Sequence, residues 1–358
     1  MRLWRVIASA LALGLVALAA HAGPVGERHL VTTDSTAALR DAEHRSQVRV
    51  TVWYPAAAGS AEQSIDQGPP GKPMILEGAV APDAPFADSR RRPVILLSHG
   101  FGGAARSMAW FGVALARAGY VVIAPDHPGN NGLDKMTAAG AVLFWDRVDD
   151  LKAALDRVLA DPAIGPHIDR ARLGVAGFSA GGYTSLIAAG ARASPDRLGD
   201  FCRAHPRDGI CMPQKELALS LDDAIATLRS PALAGETARA GDDRSIPGIR
   251  AVFTIAPAIV QELTPESLRR IRPPVAIVLG DADPVAPPDT NGLVAARLIP
   301  HVQLKVLPGV GHYDFVGVCT PAGRAALSIC NAKVPQGPTL QAAVDMALAF
   351  FARRLGAP

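Results

Sequence analysis

The stretch RLGVAGFSAGGYTSL sets one serine, Ser179, between Gly177 on one side and Gly181 and Gly182 on the other. A buried core gains nothing from three residues without side chains in so short a run. A sharp strand-to-helix turn that lifts a hydroxyl above a sheet needs them. The spacing is G-x-S-x-G, with an apolar strand-like run (Leu173 to Ala176) before it and an apolar helical segment (Tyr183 to Gly190) after it. That context suits a nucleophile held on a strained turn, with a helix N-terminus behind it to favour developing negative charge.

A serine hydroxyl is a weak nucleophile until a base activates it and an acid orients the base. Two downstream segments supply those residue types in the order serine, acid, histidine. VAIVLGDADPVAPP ends an apolar run in Asp281 and Asp283, and LPGVGHYDF ends another in His312, just after Gly309 and Gly311. Of the two acids Asp283 is favoured, because Pro284 biases it to an extended backbone at the strand exit; Asp281 directly follows Gly280 and suits an ordinary turn. An oxyanion also needs donors. LLSHGFGGAA puts Phe101 in a glycine-rich loop after a buried strand, where its N–H could serve beside that of Ala180, the residue after the serine. APDHPGN offers a second histidine, His127, next to Asp126. With no acid-plus-serine set evident nearby, that loop reads as a pocket wall.

The elements that would hold these residues follow from hydrophobic pattern. QVRVTVWYP alternates Val48, Val50, Val52 and Tyr54 on one face, an edge-type strand. Ala58 to Arg92 is rich in Pro, Gly and Ala and reads as a long surface loop. PVILLSHG, YVVIAPD, RLGVAGFS, IRAVFTIAPA, PVAIVLGDAD and VQLKVLPG are short apolar runs bounded by turn residues, as expected of parallel strands buried on both faces. Amphipathic segments lie between and after them. WDRVDDLKAALDRVLA gathers Val148, Leu151, Leu155, Val158 and Leu159, and the C-terminal TLQAAVDMALAFFARRL gathers Leu340, Val344, Leu348, Phe351 and Leu355. The alternation predicts an α/β fold with a mostly parallel central sheet flanked by helices. Residues 194–246 break the rhythm with Cys202, Cys211, mixed charges and one clear helix near Glu216 to Arg229, and read as a cap insertion over the carboxyl edge of the sheet.

Composition narrows the setting. The chain has 358 residues, 49% hydrophobic and 19% charged, which excludes a disordered chain. Residues 1–22 carry Arg2 and Arg5, a short apolar run and a small-x-small site at Ala20-His21-Ala22, the pattern of a cleaved signal peptide. Cleavage after Ala22 would leave 34 basic against 33 acidic residues and no basic run, so nucleic acid is a poor partner and no integral membrane span is expected in the mature chain. The four cysteines, Cys202, Cys211, Cys319 and Cys330, are an even set without CxxC spacing. In an exported chain they read as two disulfides, each pair close in sequence, Cys202–Cys211 and Cys319–Cys330, and not as a metal site. A periplasmic or secreted location follows.

The succession LSHGFGG, APDHPGN, GFSAGG, GDADPVAPP and GHYDF resembles the α/β-hydrolase superfamily. Within it the chain resembles exported proteins labelled predicted dienelactone hydrolases, close to platelet-activating-factor acetylhydrolases and cutinase-like polyesterases. The resemblance runs from about Val48 to the C-terminus and covers residues 194–246 least securely. It implies an α/β-hydrolase domain over 23–358, a Ser179–Asp283–His312 triad, and oxyanion donors at Phe101 and Ala180. The implied activity is carboxylic ester hydrolysis on a small-molecule, lipid or polyester ester, with no cofactor or metal. True dienelactone hydrolases use a cysteine nucleophile where this chain has Ser179, so that label does not name the substrate. An amidase or peptidase would use the same triad, and a non-catalytic binding module would need none of it.

Overall fold

The computed structural model describes residues 23–358; the leader expected over residues 1–22 lies outside them. In chain order the strands are β1 (Val25–Thr33), β2 (Gln47–Pro55), β3 (Gln63–Ser64), β4 (Ile75–Leu76), β5 (Ala79–Pro82), β6 (Arg92–Ser98), β7 (Val121–Pro125), β8 (Ile168–Phe178), β9 (Ile249–Ile255), β10 (Val275–Gly280), β11 (Gln303–Leu307) and β12 (Val318–Cys319). Ten of them form one sheet in the order β11-β10-β9-β8-β6-β7-β2-β1-β5-β3. From β11 to β7 every neighbouring pair is parallel, and β2 and β1 extend the sheet antiparallel.

The near-continuous apolar runs follow from burial on both faces. One face packs against the helices Arg147–Leu159 and Ala180–Ala188, the other against Ala109–Arg117 and Gln336–Leu355. Each helix turns its apolar stripe inward: Val148, Leu151, Leu155 and Val158 on one side, Leu340, Val344, Phe351 and Leu355 on the other, while Leu348 is only half-buried.

Three expectations change. β2 is interior, because β1 covers it through nine paired positions; the polar Glu27, Arg28 and His29 in β1 hide its strand character in the sequence. β11, expected to be buried on both faces, is the sheet edge, and only Leu307 of its five residues is buried. The stretch from Ala58 to Arg92 is more than a surface loop. It contributes β3, β4 and β5, buries Ile65 and Val80, and pairs β4 with β12 just beyond His312.

Residues 194–246 contain the helices Pro195–Ala204 and Leu221–Leu228, the second capped by Ser220, whose hydroxyl accepts from the Asp223 N–H. The segment lies above the carboxyl ends of the central strands. Its base returns to the body where Ile246 N–H donates to Ala188 O and where Arg244 is buried against Asp146 and Glu236. Disulfides join Cys202 to Cys211 and Cys319 to Cys330. No helix among the described residues is long and apolar enough to cross a membrane.

Candidate active site

β8 ends at Phe178 and the next helix begins at Ala180, so Ser179 alone makes the turn, at φ 56° and ψ −119°. A non-glycine residue at positive φ is held against its own preference. Here Ser179 N–H donates to Ile255 O and Ser179 O accepts from Ala258 N–H, so the turn is fixed to the neighbouring strand. The flanking glycines are steric requirements. A Cβ on Gly177 would lie 2.0 Å from Gly181 O, and one on Gly181 would lie 1.9 Å from Ser98 O.

The Ser179 hydroxyl lies 2.8 Å from His312 Nε2, and His312 Nδ1 lies 2.6 Å from Asp283 Oδ2. The other carboxylate oxygen of Asp283 accepts from the N–H groups of Val285 and Ala286 at 2.9 and 2.8 Å, which fixes its rotamer. All three side chains are buried. Asp281, the rival acid, instead accepts from Gly309 N–H at 2.6 Å and staples the turn leading to His312. The strand β9, which contributes no side chain to this chain of hydrogen bonds, supports the turn on which it depends.

Phe101 follows β6 on a loop that lies against the Ser179 turn. Among the described residues, neither the Phe101 nor the Ala180 N–H donates to a protein acceptor. The loop is braced from behind: Gly102 N–H donates to Asn130 Oδ1 at 2.9 Å, Asn130 Nδ2 donates to Gly140 O, and the Arg147 guanidinium donates to His99 O. These two amides, one on a braced loop and one at a helix N-terminus, have no protein acceptor and are free to donate to a bound group.

His127 corrects the sequence reading. Its loop does not line the pocket, and a serine and an acid do meet it: Ser98 Oγ lies 2.9 Å from Nε2 and Asp150 Oδ2 2.8 Å from Nδ1. This second Ser–His–Asp series is 0% exposed, and Arg40 holds Asp150 through both carboxylate oxygens. No substrate reaches it. Burial, reinforced by Arg147 and Arg40, holds His127 well below its usual pKa; burial does the same to His99, with help from His127 and Arg147. Both are neutral struts beneath the Phe101 loop. Asp150 comes from a helix remote in sequence, which is why the series was invisible there.

Above Ser179 opens a mostly apolar cavity of about 150 Å³. Phe101, Phe144, Ser179 and Ala180 form its base, and the 194–246 segment roofs it with Leu198, Ile225 and others. That segment touches each loop of the site. Gly209 packs against Pro284 O, beside Asp283; Tyr313 Oη, beside His312, donates to Glu216 Oε1; and Glu216 packs over Gly102.

The fold is of the α/β-hydrolase type, and the Alpha/beta hydrolase family is matched over residues 94–318. The chain belongs to that family. It is 39% identical over 100 residues to cutinase est2 of Thermobifida alba, a match covering 27% of this chain and 30% of the cutinase. It is 36% identical over 100 residues to the bis(hydroxyethyl) terephthalate hydrolase of Streptomyces coelicolor, covering 28% and 29% of the two chains. The matched stretch thus spans about a third of the length of these relatives. The ferulic acid esterase of Streptomyces cinnamoneus shares the fold, with a TM-score of 0.57 and 20% identity over 92% of this chain and 90% of that one.

Proposed function

We propose that the protein is an exported serine hydrolase that cleaves carboxylic esters through an acyl-enzyme. The observation that carries the reading is the continuous hydrogen-bond series from Ser179 through His312 to Asp283, placed under an apolar cavity. The Ser179 oxygen attacks the ester carbonyl as its proton passes to His312 Nε2. Asp283 holds the imidazole in the tautomer with its free nitrogen toward the serine and stabilises the imidazolium that forms. The Phe101 and Ala180 N–H groups take the oxyanion of the tetrahedral intermediate. The intermediate collapses with expulsion of the alcohol, which receives the proton from His312. Water, deprotonated by the same nitrogen, then attacks the acyl-enzyme and releases the acid and free Ser179. The names of the relatives, a cutinase and a terephthalate ester hydrolase, agree with ester substrates. The leader pattern and the two disulfides favour a periplasmic or secreted location, and the 194–246 segment acts as the cap that selects substrate.

The test is a series of p-nitrophenyl esters of graded chain length beside a p-nitroanilide. The reading expects saturable turnover of the esters and little of the anilide. Anilide cleavage at comparable kcat/KM would replace the esterase by an amidase.

A further inference from the structure

The cavity over Ser179 is lined mainly by apolar side chains, yet one carboxyl belongs to its wall: Glu262, only 2% exposed. Its Oε1 is buried without a hydrogen-bond partner. The polar neighbour is the Tyr183 hydroxyl, which also lacks a partner and could serve one oxygen of the carboxyl but not both. Two other buried carboxylates of this chain are treated differently. Asp150 is held by Arg40 and His127, and Glu236 by Arg244. An orphaned buried polar atom is a standing loss of stability, and this one belongs to a residue in the wall of the cavity above Ser179.

The backbone around Glu262 is built to hold it there. It ends a short turn, Val260–Glu262, that follows Ile259 at φ 58° and ψ 21°, a left-handed conformation for a β-branched residue. Ser194 N–H clamps Glu262 O at 2.9 Å, and Ala258 N–H ties the same segment to the nucleophile's carbonyl at 3.2 Å. The carboxyl is therefore positioned relative to Ser179 by rigid backbone. Burial pushes its pKa up to about 8, so at neutral pH it is a carboxylic acid with one donor and free acceptor capacity.

We propose that Glu262 is a specificity residue that recognises a hydroxyl group on the substrate, so that the preferred ester carries a hydroxyl separated from the ester bond by an apolar stretch. This rests on the ester-hydrolase reading. A hydroxyl both donates and accepts, matching a neutral carboxyl, whereas a purely apolar ester would seal the carboxyl away unpaired.

Four esters test it, with acid release followed by titration. Methyl 6-hydroxyhexanoate against methyl hexanoate places the hydroxyl on the acyl side; 6-hydroxyhexyl acetate against hexyl acetate places it on the alcohol side. In one of the two pairs kcat/KM should favour the hydroxylated ester by about tenfold to a hundredfold. That ratio should survive in Glu262→Gln and fall to near one or below in Glu262→Leu, with Glu262→Met as the replacement if the leucine variant does not fold. Equal rates within both pairs in the wild type, or a preference that persists in the apolar variants, would overturn the inference while leaving the esterase intact. Turnover of none of the four would overturn both.

Discussion

Asp281 and Asp283 stand two residues apart, and their surroundings give them different work. Asp283 presents one oxygen to His312 Nδ1 and spends the other on two backbone N–H groups. Asp281 spends its oxygen on Gly309 N–H. Asp283→Asn keeps the shape but replaces an acceptor by a group that can donate to Nδ1, turning the imidazole to the wrong tautomer. Turnover of a p-nitrophenyl ester should drop by about 10³–10⁴. Asp281→Asn should cost less than about tenfold, through a looser turn before His312. Steady-state kcat for the two variants checks the ranking, and the reverse order would move the orienting role to Asp281. Pro284 was enough to favour Asp283 in the sequence, because proline restricts the residue before it. Glu262 carried no such mark: a glutamate in PAIVQEL gives no sign of its burial, which depends on a segment 68 residues upstream, at Ser194.

At the scale of elements, the strands that lead into the site were legible because each is buried on both faces and reads as an unbroken apolar run. The edges were not. β1 has Glu27 bound to the Trp53 indole, so a buried polar pair replaces the expected alternation. β11 is apolar enough to look interior, although it has only one strand neighbour. The two disulfides lie beside different parts of the site. Cys319–Cys330 closes the segment after β12, whose pairing with β4 anchors the backbone that follows His312. By the chain-entropy model the Cys319→Ser/Cys330→Ser double variant should lose about 2.5–3 kcal/mol of stability, and with it kcat, since a base displaced by about 1 Å costs on the order of a hundredfold. Cys202 and Cys211 line the cavity, and their bridge closes the segment carrying Gly209, which packs on Pro284. Cys202→Ser/Cys211→Ser should therefore change KM and chain-length preference more than kcat. Denaturant midpoints and kinetics on graded esters distinguish the two. Equal loss of kcat in both variants would contradict this division.

For the whole molecule, buried ionisable groups set how stability depends on pH. Burial pushes Glu77 up to about 8 from 4.5, against the hydrogen bonds it accepts from Gln67 and Trp110. Its folded-state pKa is raised, so the folded chain keeps a proton that the unfolded chain releases above 4.5. Its contribution is full below that value and fades as pH rises to about 8. Glu262 acts in the same sense. His99 and His127 act oppositely: held below 6.5 in the fold, they contribute fully above that value and lose it as pH falls. Above pH 6.5 His99 and His127 no longer oppose this trend, while Asp146, also pushed up to about 8 by burial, and His29, raised by its hydrogen bond to Glu27, add to it. Tm should therefore decline from pH 6.5 to 8, and the decline should be shallower in Glu77→Gln. Calorimetry across that range checks it; a flat or rising Tm would mean that these carboxyls do not hold their protons.

The account as a whole depends on Ser179 being an activated nucleophile and not a serine that merely begins a helix. A fluorophosphonate probe reports this directly, because only an activated serine displaces fluoride from phosphorus readily at neutral pH. Incubation followed by peptide mapping should place a single phosphonyl adduct on Ser179, with ester hydrolysis lost in proportion to labelling. Ser179→Ala should take up no label and retain at most a few thousandfold of catalysis over water, from the oxyanion donors and binding alone. An adduct on another residue, or a Ser179→Ala variant that hydrolyses esters at the wild-type rate, would contradict the account.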